Sequence, residues 1–320
     1  MQKIAVLTSG GDAPGMNAAI RAVVRAGISY GMEVHGIERG FSGLVGGDNS
    51  RVFDLGAVAG IIHRGGTILH TARSTEFYEK EAQEQAARRM LEAGLESLVV
   101  IGGSGSFRGA QALQELGVKV VGIPATIDHD IPGTDSSIGF DTAVNTILEA
   151  ITRLRDTATS HERIFVVEVM GRESGYIALA AGIAGGAEAI IIPEIKPDLD
   201  QICRRLLEGI ARKKTHSLIL VAEGAAGAYD IGQKVHQKTG LETRVVVLGH
   251  IQRGGTPSAV DRLLGSRMGA AAVTLLHRGY SGLMAAQRGT EIVAVPLARS
   301  FIGGRAFPED LYELSLVLAR

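Results

Sequence analysis

Asp128 and Asp130 stand two residues apart, just after the apolar, β-branched run Val118 to Ile123 and the link Pro124-Ala125-Thr126-Ile127. Two carboxylates this close suit metal binding, or removal of a proton from an alcohol. Taken alone, they equally suit an Asp-rich turn whose side chains cap the backbone. His129 between them is a lone histidine of the exposed or structural kind. Two glycine-rich turns offer complementary chemistry: Thr8-Ser9-Gly10-Gly11-Asp12-Ala13-Pro14-Gly15-Met16-Asn17, and Gly102-Gly103-Ser104-Gly105-Ser106-Phe107-Arg108-Gly109. Each follows a strand-like run and opens a helix-like one. The free N–H groups and positive dipole end of a helix N-terminus favour phosphate. One such turn reads just as well as a tight βα connection with a capping aspartate; two after two strands carry more weight. The second is not the dinucleotide fingerprint, since Arg108 stands where the third glycine belongs, and no Gly-Lys dipeptide exists to make a Walker-type loop.

Cationic groups gather at strand ends. Arg163 precedes one apolar run and Arg172 follows it. Arg244 begins another, which His250 and Arg253 close. Arginine binds phosphate bidentately and keeps its charge at any relevant pH. Any one of them also serves as half of a surface salt bridge; together they suit phosphate esters.

The elements that position these groups are legible in outline. Short continuous apolar runs recur at Ile4 to Leu7, Leu98 to Ile101, Val118 to Ile123, Ile164 to Val169, Ala189 to Ile192, Leu218 to Ala222 and Val245 to Leu248. Continuous rather than alternating runs mark strands covered on both faces. Helical patterns separate them at Met16 to Arg25, Glu79 to Ala93, Asp141 to Thr157 and Asp198 to Arg212. Such alternation predicts an α/β fold with doubly wound, mostly parallel sheets, whose ligands lie beyond the carboxyl ends of the strands. The chain holds 43 glycines among 320 residues, nearly twice the average usage of about 7%. They cluster where apolar runs end, as in a backbone that wraps around ligands.

Composition excludes several classes. The formal net charge of −1 gives no global attraction to nucleic acid or an acidic membrane. No run approaches the ~18 apolar residues of a membrane span. Met1-Gln2-Lys3-Ile4 runs straight into a strand without the features of a signal peptide, and Cys203 is the only cysteine. A cytoplasmic protein is the expectation.

With these residues in hand, the chain resembles bacterial ATP-dependent 6-phosphofructokinases, from Lys3 to about Gly282. Four segments carry the likeness: Leu7 to Asn17, Thr126-Ile127-Asp128, Glu168-Val169-Met170-Gly171-Arg172, and Leu248-Gly249-His250-Ile251-Gln252-Arg253-Gly254-Gly255. The resemblance implies a homotetramer of two-domain α/β subunits. The nucleotide domain would take residues 1–138 and about 252–305, and the sugar-phosphate domain 139–251 and about 306–320. It implies nucleotide contacts from Gly11, Arg73 and the turn Gly103, Ser104, Gly105, Ser106 to Gly109. Fructose 6-phosphate would meet Thr126, Asp128, Asp130, Met170, Gly171, Arg172, Glu223, His250 and Arg253. Arg163 and Arg244 would reach the 6-phosphate of a neighbouring subunit's substrate. Asp128 would act as base, with Thr126, Arg172, Gly11 and Arg73 completing the catalytic set, and Mg2+ would ride on ATP.

The chain departs from the family pattern at informative places. Ser104 stands where the family's Gly-Gly-Asp-Gly turn has its metal-handling aspartate. A hydroxyl is a much weaker partner for a hard dication, which leaves Asp130 as the nearby carboxylate. His129 replaces an asparagine, and Ala125 a glycine. The pyrophosphate-using relatives have an aspartate at position 105 and a lysine at 125; Gly105 and Ala125 point to ATP. Arg21, Arg25, Arg155, Gly186, Glu188, Arg212 and Lys214 match the family's effector pocket for ADP or phosphoenolpyruvate, but Leu55 replaces an arginine. Phosphoenolpyruvate is therefore expected to inhibit more weakly than is usual for the family, as read by effector titration of the steady-state rate. Ser104 with Leu55 also motivates a second reading, a regulatory paralogue that binds without turnover. A third, a kinase of the diacylglycerol or NAD kinase type, shares the Gly-Gly-Asp-Gly turn but lacks the His250 to Gly255 segment and the Arg163/Arg244 pair.

Overall fold

The computed structural model describes residues 2–47, 49–72, 74–161 and 163–319, the side chains of 159–161 excepted. Arg73 lies outside the described residues. In chain order the elements are β1 (Lys3–Thr8), α1 (Met16–Ser29), β2 (Glu33–Ile37), α2 (Gly40–Gly46), β3 (Ser50–Phe53), α3 (Lys80–Glu92), β4 (Ser97–Gly102), α4 (Ser104–Glu115) and β5 (Lys119–Pro124). They continue with α5 (Phe140–His161), β6 (Ile164–Val169), α6 (Tyr176–Ala184), β7 (Ala189–Ile191), α7 (Leu199–Ala211), β8 (Ser217–Ala222), α8 (Ala228–Thr239) and β9 (Thr243–Val247). The chain closes with α9 (Ala259–His277), β10 (Leu283–Arg288), β11 (Glu291–Pro296) and α10 (Glu309–Leu318).

The chain divides into two compact units. The first comprises residues 1–126, 130–142 and 253–305; the second comprises 127–129, 143–252 and 306–320. The first unit is built on a seven-stranded sheet in the order β11-β10-β5-β4-β1-β2-β3. Its strands are parallel except for the edges, where β11 runs against β10 and β3 against β2. The second unit holds a four-stranded, all-parallel sheet in the order β7-β8-β6-β9.

Burial explains the central strands. All six residues of β4 are buried, as are the last five of β1. Helices therefore cover both faces, and each fully buried Ile, Leu or Val contributes about 1.5–3 kcal/mol. The covering helices approach closely where side chains vanish. A Cβ at Gly269 of α9 would lie 2.7 Å from both the Ala19 carbonyl oxygen and Ala22 Cβ of α1. Glycine at 269 is what lets those two backbones meet. The start of α5 is fixed by Asp261, only 1% exposed. Its Oδ1 accepts from the Gly139 N–H at 2.8 Å, and its Oδ2 from the N–H and hydroxyl of Thr142 at 2.8 and 2.5 Å. Burial pushes this carboxyl up from its ordinary range, against the pull of the Thr142 hydroxyl and the two backbone donors.

Among the described residues, no helix is long and apolar enough to cross a membrane. The doubly wound, mostly parallel α/β architecture is the one expected from the sequence. The strands β2, β3, β10 and β11 and the helices α2, α6, α8 and α9 come from the structure.

Candidate active site

In the first unit, the strand order reverses between the parallel neighbours β1 and β4: β1 leads on to β2 on one side, β4 to β5 on the other. Loops diverge at such a point and leave a crevice at the strands' carboxyl ends. Both glycine turns leave from there. They are joined by the Ser9 N–H donating to the Ile101 carbonyl at 3.0 Å. A Cβ at Gly102 would lie 2.5 Å from both Ser106 Oγ and the Ser9 carbonyl oxygen, and one at Gly10 would lie 3.3 Å from Ser106 Oγ. The two turns are thus neighbours because their strands are, and the absence of side chains lets the backbones close up.

Other expected residues converge here. A Cβ on Gly11 would sit 2.1 Å from Arg253 Nη1, so this guanidinium lies directly over the Gly11 backbone. A Cβ on Gly103 would be 3.9 Å from Thr126 Cβ. Around Gly105 nothing lies within 4 Å, which leaves the outer side of that turn open. Helix α4 begins at Ser104 with Gly103 as its cap, a residue with no side chain to accept from its first N–H groups. Those donors point out of the helix end and suit an anion. Gly109 serves a different local purpose: it abuts Phe41 and Phe77, whose rings stack with centroids 4.4 Å apart. Ala125 is 1% exposed and bridges to Ile138, so its methyl is turned into the protein. Asp130 is half-buried in this unit.

In the second unit the groups lie at the carboxyl ends of β6, β8 and β9. Asp128 is buried, and its Oδ2 lies 3.3 Å from Nε of the exposed Arg172. The backbone on both sides of this pair is unusual: His129 has φ 56°, Arg172 φ 53° and Gly171 φ 141°. Non-glycine residues in the left-handed region are uncommon and cost of order 1–3 kcal/mol each, which the surroundings must over-determine. Here the over-determination is visible. Glu223 Oε1 accepts from the N–H groups of Arg172 and Gly171 at 2.9 and 3.3 Å. A Cβ on Gly224 would lie 1.8 Å from the Arg172 carbonyl oxygen. The Met170 N–H donates to Oε1 of the fully buried Gln252 at 3.2 Å, and Gln252 Nε2 donates to the Gly249 carbonyl at 2.9 Å. Gln252 thereby ties the end of β6 to the turn that carries the exposed His250. It lies inside a quoted motif, yet nothing local assigns it a role, because its partner Met170 is 82 residues away and is brought to it only by the fold. His129 packs edge-on against Tyr176, with centroids 5.3 Å apart.

Arg163 and Arg244 are brought together by neighbouring strands. Glu242 Oε1 lies 2.9 Å from Arg163 Nε and 2.5 Å from Arg244 Nη2. The adjacent Arg163 guanidinium, more than any other group, holds the Glu242 carboxyl below its ordinary range. Of the expected effector residues, Glu188, Arg212 and Lys214 line one pocket with Arg205 and Ser217. Glu188 pairs with Lys214 at 2.5 Å. Arg155 donates to the Gly186 carbonyl at 2.7 Å. Arg21 and Arg25 lie one turn apart on α1, in the first unit, as does the exposed Leu55. Among the described residues, no group of three or more His, Cys, Asp or Glu forms a metal cage.

Fold and loops together define a doubly wound α/β protein of the kind that takes phosphate-bearing ligands at its strand ends. The family model described as phosphofructokinase matches residues 3–276. The chain is 54% identical over 319 residues to the ATP-dependent 6-phosphofructokinase of Natranaerobius thermophilus, and 56% identical over 321 residues to that of Clostridium tetani, with all of each chain covered. The solved phosphofructokinase of Pichia pastoris superposes with a TM-score of 0.90 at 37% identity; 99% of this chain is covered, but only 36% of the much longer yeast chain. The chain belongs to the phosphofructokinase family.

Proposed function

We propose that this chain is an ATP-dependent 6-phosphofructokinase, moving the γ-phosphoryl group of ATP to the 1-hydroxyl of fructose 6-phosphate and releasing fructose 1,6-bisphosphate and ADP in glycolysis. The observation that carries the reading is the buried carboxylate of Asp128 held 3.3 Å from Arg172 at the carboxyl end of β6, within a family of that activity. Asp128 takes the proton of the 1-hydroxyl as its oxygen attacks phosphorus. Arg172 stands beside it to meet the charge of the transferring group. Thr126, Met170, Gly171, Glu223 and His250 orient the sugar, and Glu223 additionally fixes the Arg172 backbone. On the nucleotide side, the N–H groups of the Gly11 turn and of Gly103 to Ser106 cradle phosphate oxygens, with Arg73 completing the set; Arg253, whose guanidinium lies over Gly11, meets the sugar phosphate. No covalent intermediate with the protein is needed; positioning and charge stabilisation carry the rate. The open space at Gly105 and the inward Ala125 favour ATP over pyrophosphate as donor.

The residues fit a Mg2+ ion carried by the nucleotide rather than caged by protein, since Mg2+ retains several waters and needs few protein ligands. Asp130 and the Ser104 hydroxyl would hold it, and it would neutralise charge on the nucleotide phosphates. The same reading includes a cytoplasmic homotetramer. In it, Arg163 and Arg244 exchange Glu242 for a neighbour's 6-phosphate, and the pocket of Glu188, Arg212 and Lys214 takes part in effector binding with Arg21, Arg25, Arg155 and Gly186.

A coupled assay tests the reading. The native chain is expected to form ADP in a fructose 6-phosphate-dependent manner, and Ser104→Asp to lower the half-saturating magnesium concentration by several fold. No activity in the native chain at ample magnesium would remove the proposal, and activity appearing only in Ser104→Asp would favour the regulatory paralogue. That alternative is not favoured by the full-length relatives at 54% and 56% identity, which are named as the enzyme.

A further inference from the structure

Residues 54–71 cross the first unit without a strand or helix, so their backbone groups have no ladder to join. Asn17, the second residue of α1, supplies one. Its side chain is fully buried. Nδ2 donates to the carbonyls of Arg64 at 3.0 Å and Gly66 at 2.7 Å, while Oδ1 accepts from the Ile68 N–H at 2.9 Å. The two carbonyls and the one N–H fix the orientation of the amide, because only one of its two flips satisfies all three. Asn17 is therefore used as a piece of β-ladder rather than as a solvated polar residue.

The clamped segment leads to the nucleotide turn. Thr8 Oγ1 donates to the His70 carbonyl at 2.8 Å and lies 3.1 Å from Thr67 Oγ1. The Thr71 hydroxyl donates to the Gly10 carbonyl in a short hydrogen bond. A Cβ on Gly65 would lie 2.2 Å from the Gly255 carbonyl oxygen, so the same segment also abuts the turn that follows Arg253. Arg73 follows Thr71 by two residues in the chain. One side chain thus sets the course of a segment that touches the Gly10 turn and adjoins the Arg253 to Gly255 turn.

We propose that Asn17 is a positioning residue for nucleotide binding: its buried amide clamps residues 64–68 so that Thr71 is preset against the Gly10 turn. The inference rests on the kinase reading for its ligand, ATP, and requires no contact between Asn17 and ATP. Aspartate cannot replace it, since a carboxylate oxygen would face two carbonyls, and alanine offers none of the three bonds.

The test uses the native chain and Asn17→Ala. Asn17→Ala is expected to raise the KM for ATP at least tenfold, leave the KM for fructose 6-phosphate within twofold, and abolish hydrogen-exchange protection of the Ile68 amide while that of β4 persists. A loss of stability alone would lower the folded fraction and not the ATP affinity of what remains folded. An unchanged KM for ATP in a variant that has lost Ile68 protection overturns the proposal, as does a variant that keeps the protection. Should Asn17→Ala fail to fold, exchange in the native chain decides. Residues 64–71 are expected to be protected before any nucleotide is added; protection that appears only with ATP overturns the preset clamp. Calorimetric ATP affinity replaces KM if the native chain shows no turnover, so failure of the kinase reading stays distinct from failure of the clamp.

Discussion

Asp128→Asn is expected to lower kcat by about 10²–10⁴-fold, the range associated with loss of a positioned general base. Asparagine has nearly the volume of aspartate and can still accept from Arg172, so the 4%-exposed site stays filled and the turn around it intact. What disappears is the capacity to take the proton of the attacking hydroxyl. The KM values for both substrates should move by only a few fold, and a single-turnover experiment should show the slow step to be chemistry. A kcat within tenfold of native would sink the assignment of Asp128 as base. The companion substitution Arg172→Lys keeps a cation but loses the planar guanidinium that reaches Asp128 along its Nε edge, and it separates base function from charge stabilisation.

Gly11→Ala carries the second large effect, expected at roughly 10²-fold in kcat/KM, the cost associated with misplacing a group by about 1 Å. The new Cβ would occupy a point 2.1 Å from Arg253 Nη1. The obstacle is the tip of a flexible side chain, so the fold should tolerate the change, and the melting temperature should stay within a few degrees of native. The guanidinium, however, must leave. On an Arg253→Ala background, Gly11→Ala is then expected to cost little more, because both changes act through one group. Full additivity of the two losses would show that Gly11 acts by another route.

The central strands were legible because they are buried on both faces. Val99, Val100 and Ile101 of β4 and Ile219, Leu220 and Val221 of β8 are all at 0% exposure and read as unbroken apolar runs. The edges were not. β10 and β11 do hold short apolar stretches, Leu283 to Ala286 and Ile292 to Val295, but the first ends in two small alanines and a polar Gln287, and the second is largely exposed or half-exposed and closes on Pro296. α9 was missed for a different reason. Its Gly265 and Gly269 are the residues that admit the α1 backbone, and glycine in a sequence argues against a helix. The site divides in the same way. Gly11, Gly103, Asp128, Arg172 and Arg253 stand out in the sequence because their types and positions at strand ends suit phosphate chemistry. Asn17, Gln252 and Asp261 act through partners from 47 to 122 residues away or at segments with no pattern of their own, and nothing local distinguishes them from ordinary polar residues. Glu242 likewise gains its meaning only once β6 and β9 lie side by side and bring Arg163 to it.

The discontinuity of the first unit has a consequence for biosynthesis. Strand β5 leaves the ribosome early, but the strand that covers its outer edge, β10, is encoded after residues 143–252, which belong to the other unit. At about 5–20 residues per second, β5 waits for several seconds to half a minute with one row of N–H and C=O groups uncovered. An uncovered strand edge is a template for pairing with another chain. Nascent-chain aggregation, and any holdase that suppresses it, should therefore act mainly in the interval between the emergence of Pro124 and that of Leu283.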